Sequence, residues 1–336
     1  PHRSSMPTKA VDTFTSSGVK YSRQPDMLDS LRSGHGNPIS LQISPTNRCN
    51  LRCVFCSVDE RQLNLEWNPT ELCAAILAFV MHGIKTVEFS GGGDPTLYPY
   101  LAEIVDYSKR YNLKLGMITN GIILKDIPRE TLEAFDWIRI SMVTLDYRKD
   151  LMLPDPWPSR TTLGMSYVVG QINYTGGKTP YLDNEYEKLR QVRDFAIQNG
   201  AEYVRVVPEC FTPGEELMKQ LHVEWKPVVQ DLGPPLFFQE KFQLQAHQCF
   251  LDAVKPWLHT DGYVYPCNSV SLNTEAHRDF DPKWRLCHWK DIHDYYLKRG
   301  TKSLSFVDKL CDRCTFVSNN KVISDLLEPI KHGDFV

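Results

Sequence analysis

The sequence predicts an α/β protein built on a parallel sheet, and three observations carry that expectation. From Ile39 onward, short β-branched or apolar runs alternate with helix-length amphipathic stretches, which is the rhythm of βα units. Helix stops fall where the apolar periodicity ends, Gly200 being one. The 336 residues, 42% of them hydrophobic, suffice to bury a sizeable core, and two domains are expected at that length.

Taken in order, residues 1–37 are polar and rich in Ser, Arg and Gly, and read as an N-terminal extension lying on the main domain. Pro1 to Ser5, ahead of Met6, are set aside as a remnant foreign to the fold. Strands are expected at Ser40 to Ile43, Thr86 to Phe89, Lys114 to Ile118, Trp137 to Met142, Met165 to Val169 and Tyr203 to Val207. Each of the first five is expected to lead into a helix, with helices at Thr70 to His82, Pro99 to Tyr111, Arg129 to Phe135 and Asn184 to Asn199. Asp146 to Pro158 is proline-rich and reads as a loop. After the sixth strand the rhythm is expected to stop.

Formal net charge is −3 with both signs dispersed, so no basic stripe points to nucleic acid. No apolar run is long enough to span a bilayer, and Pro1 to Lys20 holds no signal-like apolar segment. A cytoplasmic protein without nucleic-acid or membrane partners is expected. Ten cysteines without a secretion signal favour metal or redox chemistry over disulfides.

Cys49-Asn50-Leu51-Arg52-Cys53-Val54-Phe55-Cys56 spaces three cysteines x3 and then x2. Four thiolates complete a [4Fe-4S] cube, whereas three leave one iron open to a ligand. Zinc is the alternative, but it usually takes two close pairs or Cys/His combinations, and neither follows nearby. Downstream of Thr86-Val87-Glu88-Phe89 comes Ser90-Gly91-Gly92-Gly93-Asp94-Pro95-Thr96. Glycines let backbone carbonyls approach a ligand, and the Asp94 carboxylate can help bind an ammonium group. Such a turn taken alone also reads as a tight strand-to-helix connection.

Together the two motifs resemble the radical S-adenosylmethionine (radical SAM) enzymes. Their CxxxCxΦC signature has an aromatic before the third cysteine, filled here by Phe55, and their GGE loop is matched with Asp94 in the acidic place. The resemblance implies a partial (β/α)6 TIM-like barrel over residues 38–210, with a [4Fe-4S] cluster on Cys49, Cys53 and Cys56. It implies S-adenosyl-L-methionine bound by Phe55, Gly91, Gly92, Gly93, Asp94, Asn120 and Ser141, with Asp94 toward the methionine ammonium. An electron donor such as flavodoxin or ferredoxin follows from the same resemblance. In parallel α/β barrels functional residues sit where strands end, and the motifs obey this. The cysteine loop follows the first strand, the glycine loop the second, Thr119-Asn120-Gly121 the third, and Ser141 ends the fourth. Ser141 reads equally as a strand-end serine bonding backbone.

Cysteines return at Cys249, Cys267, Cys287, Cys311 and Cys314. His259 to Tyr265 reads as a β-hairpin, because Asp261-Gly262 supplies the positive φ angles of a tight turn. The region resembles the twitch domain, the shortened SPASM extension of radical SAM enzymes. That resemblance implies an auxiliary [4Fe-4S] cluster on Cys249, Cys267, Cys311 and Cys314. Zinc is again the alternative on spacing. The domain plan is a linker over 211–248, the twitch-like β-hairpin and helix unit over 249–318, and a tail over 319–336.

Cys73 reads as a core residue, and Cys287 as packing between ligand groups. Cys210 leaves the sixth strand at the mouth, where a thiol could give a hydrogen atom to a substrate radical; a loop cysteine without a role is the other reading. The resemblance implies reductive cleavage of S-adenosylmethionine to a 5′-deoxyadenosyl radical. Three fates are open: oxidation by the auxiliary cluster (dehydrogenation), hydrogen return from Cys210 (epimerisation), or attack on another group. The first two, on a small polar substrate such as a sugar, aminocyclitol or nucleoside, are favoured. A peptide substrate, and a non-catalytic iron-sulfur carrier or zinc module, are the alternatives.

Overall fold

The computed structural model describes residues 6–148, 150–170, 185–210, 215–274, 281–300 and 302–328. Two helices, α1 (Met6–Phe14) and α2 (Pro25–Arg32), precede the alternating run β1 (Ser40–Ile43), α3 (Pro69–Met81), β2 (Thr86–Phe89), α4 (Leu101–Arg110), β3 (Lys114–Thr119), α5 (Arg129–Glu133), β4 (Trp137–Ser141), α6 (Thr144–Tyr147), β5 (Thr162–Val169), α7 (Glu185–Gln198) and β6 (Tyr203–Pro208). The chain continues through α8 (Glu215–Leu232), β7 (Leu236–Phe238), β8 (Trp257–Leu258), β9 (Tyr263–Tyr265), β10 (Cys287–His288), α9 (Ile292–Lys298), α10 (Val307–Leu310) and α11 (Val317–Leu327).

Local chemistry sets these elements. For α3, the Asn68 side chain accepts from the backbone N–H of Thr70 and Glu71 at 2.9 and 3.3 Å, and Pro69 occupies the first turn. Leu72, Ala75, Ile76 and Phe79 then recur at helical spacing and are fully buried. Strands alternate instead. Leu41, Ile43, Val87, Phe89, Ile138, Ile140, Val204 and Val206 join one apolar core, so Gln42, Glu88, Arg139 and Arg205 take the opposite face of the sheet. Burying each such Leu, Ile or Phe side chain stabilises the fold by about 1.5–3 kcal/mol.

The six expected strands form, pairing in parallel and in chain order from β1 to β6. A partial barrel is the result, with three departures from expectation. The βα rhythm does not stop at β6: α8 leads into β7, which pairs in parallel with β6, so the segment expected as a linker holds a seventh unit. Pro227 inside α8 and the brevity of Leu236-Phe237-Phe238 hid this unit. Secondly, β4 is followed by the single turn α6 and then by the expected proline-rich loop. Thirdly, the expected hairpin forms from β8 and β9, but its first strand pairs in parallel with β1. The later cysteine region is thereby stitched to the edge of the barrel sheet. Only Gly262 takes a positive φ in its turn, +85°.

Of the two N-terminal helices, α2 packs on the later part of the chain and the end of α1 on the barrel. Tyr21, Met27, Leu28 and Leu31 pack with Phe250, Val254 and Ile323 of α11 and its neighbours. At the end of α1, Phe14 stacks on Tyr203 with ring centroids 4.1 Å apart, and its carbonyl accepts from Arg139 Nη2 at 2.7 Å. Tyr203 begins β6, so α1 closes the barrel floor, opposite the mouth.

Candidate active site

At the mouth, the loop after β2 is bonded onto the loop after β1. Gly93 N–H donates to Thr46 O at 3.0 Å and Asp94 N–H to Arg48 O at 2.8 Å, while Gly92 N–H donates to Ser44 Oγ at 3.2 Å. The glycines permit this approach. A Cβ on Gly93 would overlap Arg48 O and lie 2.7 Å from Arg48 C, and one on Gly92 would overlap Asn47 Oδ1. The cysteine loop and the glycine loop are therefore held in a set relation by backbone contact.

Asp94, expected to face an ammonium group, is placed otherwise. Its carboxylate accepts from Thr96 N–H (3.0 Å) and Thr96 Oγ1 (2.5 Å), from Thr119 Oγ1 (2.9 and 3.0 Å to the two oxygens), and from Asn120 N–H (2.6 Å). At 4% exposure, both oxygens are committed to protein donors. The side chain ties the glycine loop to the end of β3.

Cys49, Cys53 and Cys56 are all partly buried and share one electrostatic environment. Desolvation raises each thiol above its ordinary range, and Cys53 is raised further by both other cysteines. Against this, the backbone N–H of Leu51 and of Val58 stabilise the thiolates of Cys49 and Cys56 respectively. Arg61, which no sequence motif announces, is 9% exposed and brings Nη1 to 3.6 Å from Cys56 Sγ. The same guanidinium is anchored by Nε to Asn47 O (3.0 Å) and Nη1 to Val58 O (3.1 Å). Asn120 Nδ2 lies 3.9 Å from Cys49 Sγ and donates to Asn50 Oδ1 at 2.6 Å. Three partly buried thiols with amide and guanidinium donors suit a cationic iron cluster, which keeps thiols deprotonated. A cavity of about 380 Å³ opens beside them, lined by Arg52, Cys53, Val54, Asp59, Glu60, Arg61 and Leu63. Phe55 packs against the main core, and Ser141, at the end of β4, gives its carbonyl to Thr144 Oγ1 at 2.9 Å.

The four later cysteines also converge. Cys267 and Cys314 act electrostatically on Cys249, Cys314 and Cys311 on Cys267, and Cys314 on Cys311. Desolvation is the leading cause of every upward shift, taking Cys311 to about 12. The N–H groups of Leu251, Ser269, Val270 and Phe316 favour the thiolates. Paired backbone bonds between Leu244 and Cys314, with Ala246 N–H to Cys311 O, bring the close pair against the Cys249 segment. Cys287 stands apart, on β10 beside Val264, its thiol pushed up to about 12 by burial and by Asp291 and Asp252. Cys73 lies on α3, half-buried against the core. Among the described residues, no three His, Cys, Asp or Glu side chains meet the spacing needed around a single metal ion.

Two contacts join the cysteine regions through the hairpin. Trp257 Nε1 donates to Ser44 Oγ at 2.8 Å, and Thr260 Oγ1 to Asn47 Oδ1 at 3.0 Å. Cys210 follows β6 and acts electrostatically on Arg205 and Lys241, and its carbonyl accepts from Gln243 Nε2 at 2.5 Å. Asp146 is committed to Lys188 (3.0 Å) and Tyr167 (3.2 Å). No described helix is long and apolar enough to cross a membrane.

The fold and site define an α/β-barrel protein whose mouth is lined by thiols on the loop after its first strand. Residues 43–157 match the Radical SAM superfamily, and the chain carries a radical SAM domain there. The chain is 25% identical over 292 residues to a probable GTP 3′,8-cyclase of Methanococcus maripaludis, covering 77% of this chain and 93% of that one. It is 36% identical over 116 residues to the PqqA peptide cyclase of Gluconobacter oxydans, covering 33% of this chain and 30% of the relative. In fold it is similar to Streptococcus suis SuiB bound to S-adenosylmethionine, with a TM-score of 0.53, 16% identity and coverage of 85% and 76%.

Proposed function

We propose that this protein is a radical SAM enzyme that abstracts hydrogen from a small polar substrate and dehydrogenates or epimerises it. The observation that carries the reading is the convergence of Cys49, Cys53 and Cys56 beside a glycine loop bonded to the same segment. Those cysteines hold the cluster, leaving one iron for S-adenosylmethionine. When bound, the two cofactors supply one-electron cleavage of the sulfonium and hydrogen abstraction. Gly91, Gly92 and Gly93 present backbone to the methionine moiety, with Phe55, Asn120 and Ser141 around it. Asp94 holds that backbone in place. Cys249, Cys267, Cys311 and Cys314 hold an auxiliary [4Fe-4S] cluster in the twitch-like region, and Cys210 is the hydrogen-atom donor at the mouth.

The likeness to the GTP cyclase supports a nucleoside-like substrate. A peptide is the second reading, supported by the stretch similar to PqqA peptide cyclase. An external one-electron donor is required under either. Anaerobically reconstituted protein should hold about eight irons per chain, falling to about four in Cys311→Ser, with 5′-deoxyadenosine formed on reduction. Stoichiometric zinc without iron would sink the proposal. Product from deuterated water should carry solvent deuterium if Cys210 returns the hydrogen; unlabelled product rules out the thiol route and leaves dehydrogenation.

A further inference from the structure

The inner face of the barrel carries a charge imbalance that the proposed chemistry does not use. Strand alternation turns Glu88 and Arg139 inward from β2 and β4, and Arg205 inward from β6. Lys255 precedes β8, and Lys241 follows β7. These groups form one electrostatic cluster: Glu88 is acted on by Lys255, Arg139 and Arg205, and Lys241 by Cys210, Arg205 and Arg139. Four cations thus fall in one cluster with Glu88. That carboxylate is already taken, since Lys255 Nζ lies 2.9 Å from Glu88 Oε2. Glu209, which follows β6 and is fully buried, is itself partnered.

Arg205 is the most exposed to this imbalance. Its Nη1 donates to Gln239 Oε1 at 3.3 Å, while its Nε is buried without a partner among the described residues. Arg139 spends its donors on Tyr203 Oη (3.1 Å) and Phe14 O (2.7 Å), which hold it without neutralising it. Desolvation, reinforced by Arg139, lowers Arg205 to about 9, and burial and both arginines lower Lys241 despite the favourable effect of Cys210. Burying a cation without a counter-charge is unfavourable, and an unsatisfied donor adds to that cost. Such an arrangement is compensated when an anion enters.

We propose that the barrel lumen is an oxyanion site, in which Arg205, with Arg139 and Lys241 beside it, receives a phosphate or carboxylate group of the substrate near Cys210. The guanidinium fork suits both groups, since each offers paired oxygens. This proposal rests on the reading of the mouth as the reaction site, because it orients the substrate from the floor side toward the thiol.

The test is calorimetric titration of the anaerobically reconstituted full chain with inorganic phosphate and, separately, acetate, at constant ionic strength so that screening is equal. Saturable binding to one site is expected, and the tighter probe identifies the substrate group. Arg205→Gln should weaken it about ten-fold or more, and Arg205→Lys should restore part of the loss. Lys241→Gln provides a second arm should Arg205→Gln fail to fold. Absence of saturable binding, or variants that bind as tightly as the wild type, overturns the proposal. Formation of 5′-deoxyadenosine by the same wild-type preparation, without phosphate, reads the proposed function separately: its failure counts against that reading and leaves the titration to judge the lumen.

Discussion

Replacing Gly93 by alanine should prise apart the two loops that make the mouth. The added methyl meets Arg48 O and the carbonyl carbons of Asn47 and Arg48, backbone atoms that no rotamer change can move. Overpacking of that kind costs about 1–3 kcal/mol. Separation of the loops also stretches two backbone bonds, Gly93 N–H to Thr46 O and Asp94 N–H to Arg48 O, each contributing about 1 kcal/mol. The total loss is about 3–5 kcal/mol, a large fraction of the about 5–15 kcal/mol that holds a typical domain. Gly91→Ala is the internal control: its methyl would sit 3.0 Å from Gly93 O and 3.5 Å from Ser44 Oγ, a contact relieved by a small shift, and should cost about 1 kcal/mol. Anaerobic urea denaturation of the wild type and both variants gives the comparison. A Gly93→Ala protein within about 1 kcal/mol of the wild type, or no worse than Gly91→Ala, would refute the close-approach argument.

Asp94→Asn exchanges an acceptor oxygen for an N–H₂ facing Thr119 or Asn120, and should cost about 2–4 kcal/mol in the same assay; unchanged stability with weakened S-adenosylmethionine binding would instead restore the ammonium role expected from the sequence. Arg299→Met strips the guanidinium from Asp252, whose carboxylate is fully buried and also accepts from Tyr295 Oη at 2.7 Å. A loss of about 3–5 kcal/mol is expected, with much of it recovered in the Asp252→Asn, Arg299→Met double variant. Glu88 titrates below its ordinary value: although desolvation opposes ionisation, Lys255 beside it prevails. Its contribution to stability is therefore complete above the unfolded carboxylate value of about 4.3 and is lost as pH falls through the lower folded value. Acid titrations followed by circular dichroism should show this loss, reduced in Glu88→Gln; identical acid limbs would contradict it.

The strand pattern was legible because apolar residues at period two leave a local signature. Ser40 to Ile43 and Thr86 to Phe89 formed as expected, and the boundaries of β3, β4 and β6 shifted by one residue, whereas β5 began earlier, at Thr162. What escaped was set by partners distant in the chain. β7 is three residues long and exists because β6 offers an edge, and β8 is two residues long and exists because β1 offers the other. The cysteines were legible from spacing. Arg61 was not, since nothing local marks a guanidinium that folds back on Asn47 O and Cys56 Sγ.

The sequence by itself determined the order in which the motifs meet the mouth: three thiols, then the glycines, then the strand ends of β3 and β4. Covalent spacing sets those relations, so they are readable without a fold. Only the tertiary structure decided which way polar groups turn. It directed the Asp94 carboxylate inward to Thr96, Thr119 and Asn120, made Gly93 a matter of loop contact, and left Arg205 Nε without a partner among the described residues. Hydrogen bonding and burial depend on neighbours tens of residues away, and those neighbours meet only when the sheet closes around them.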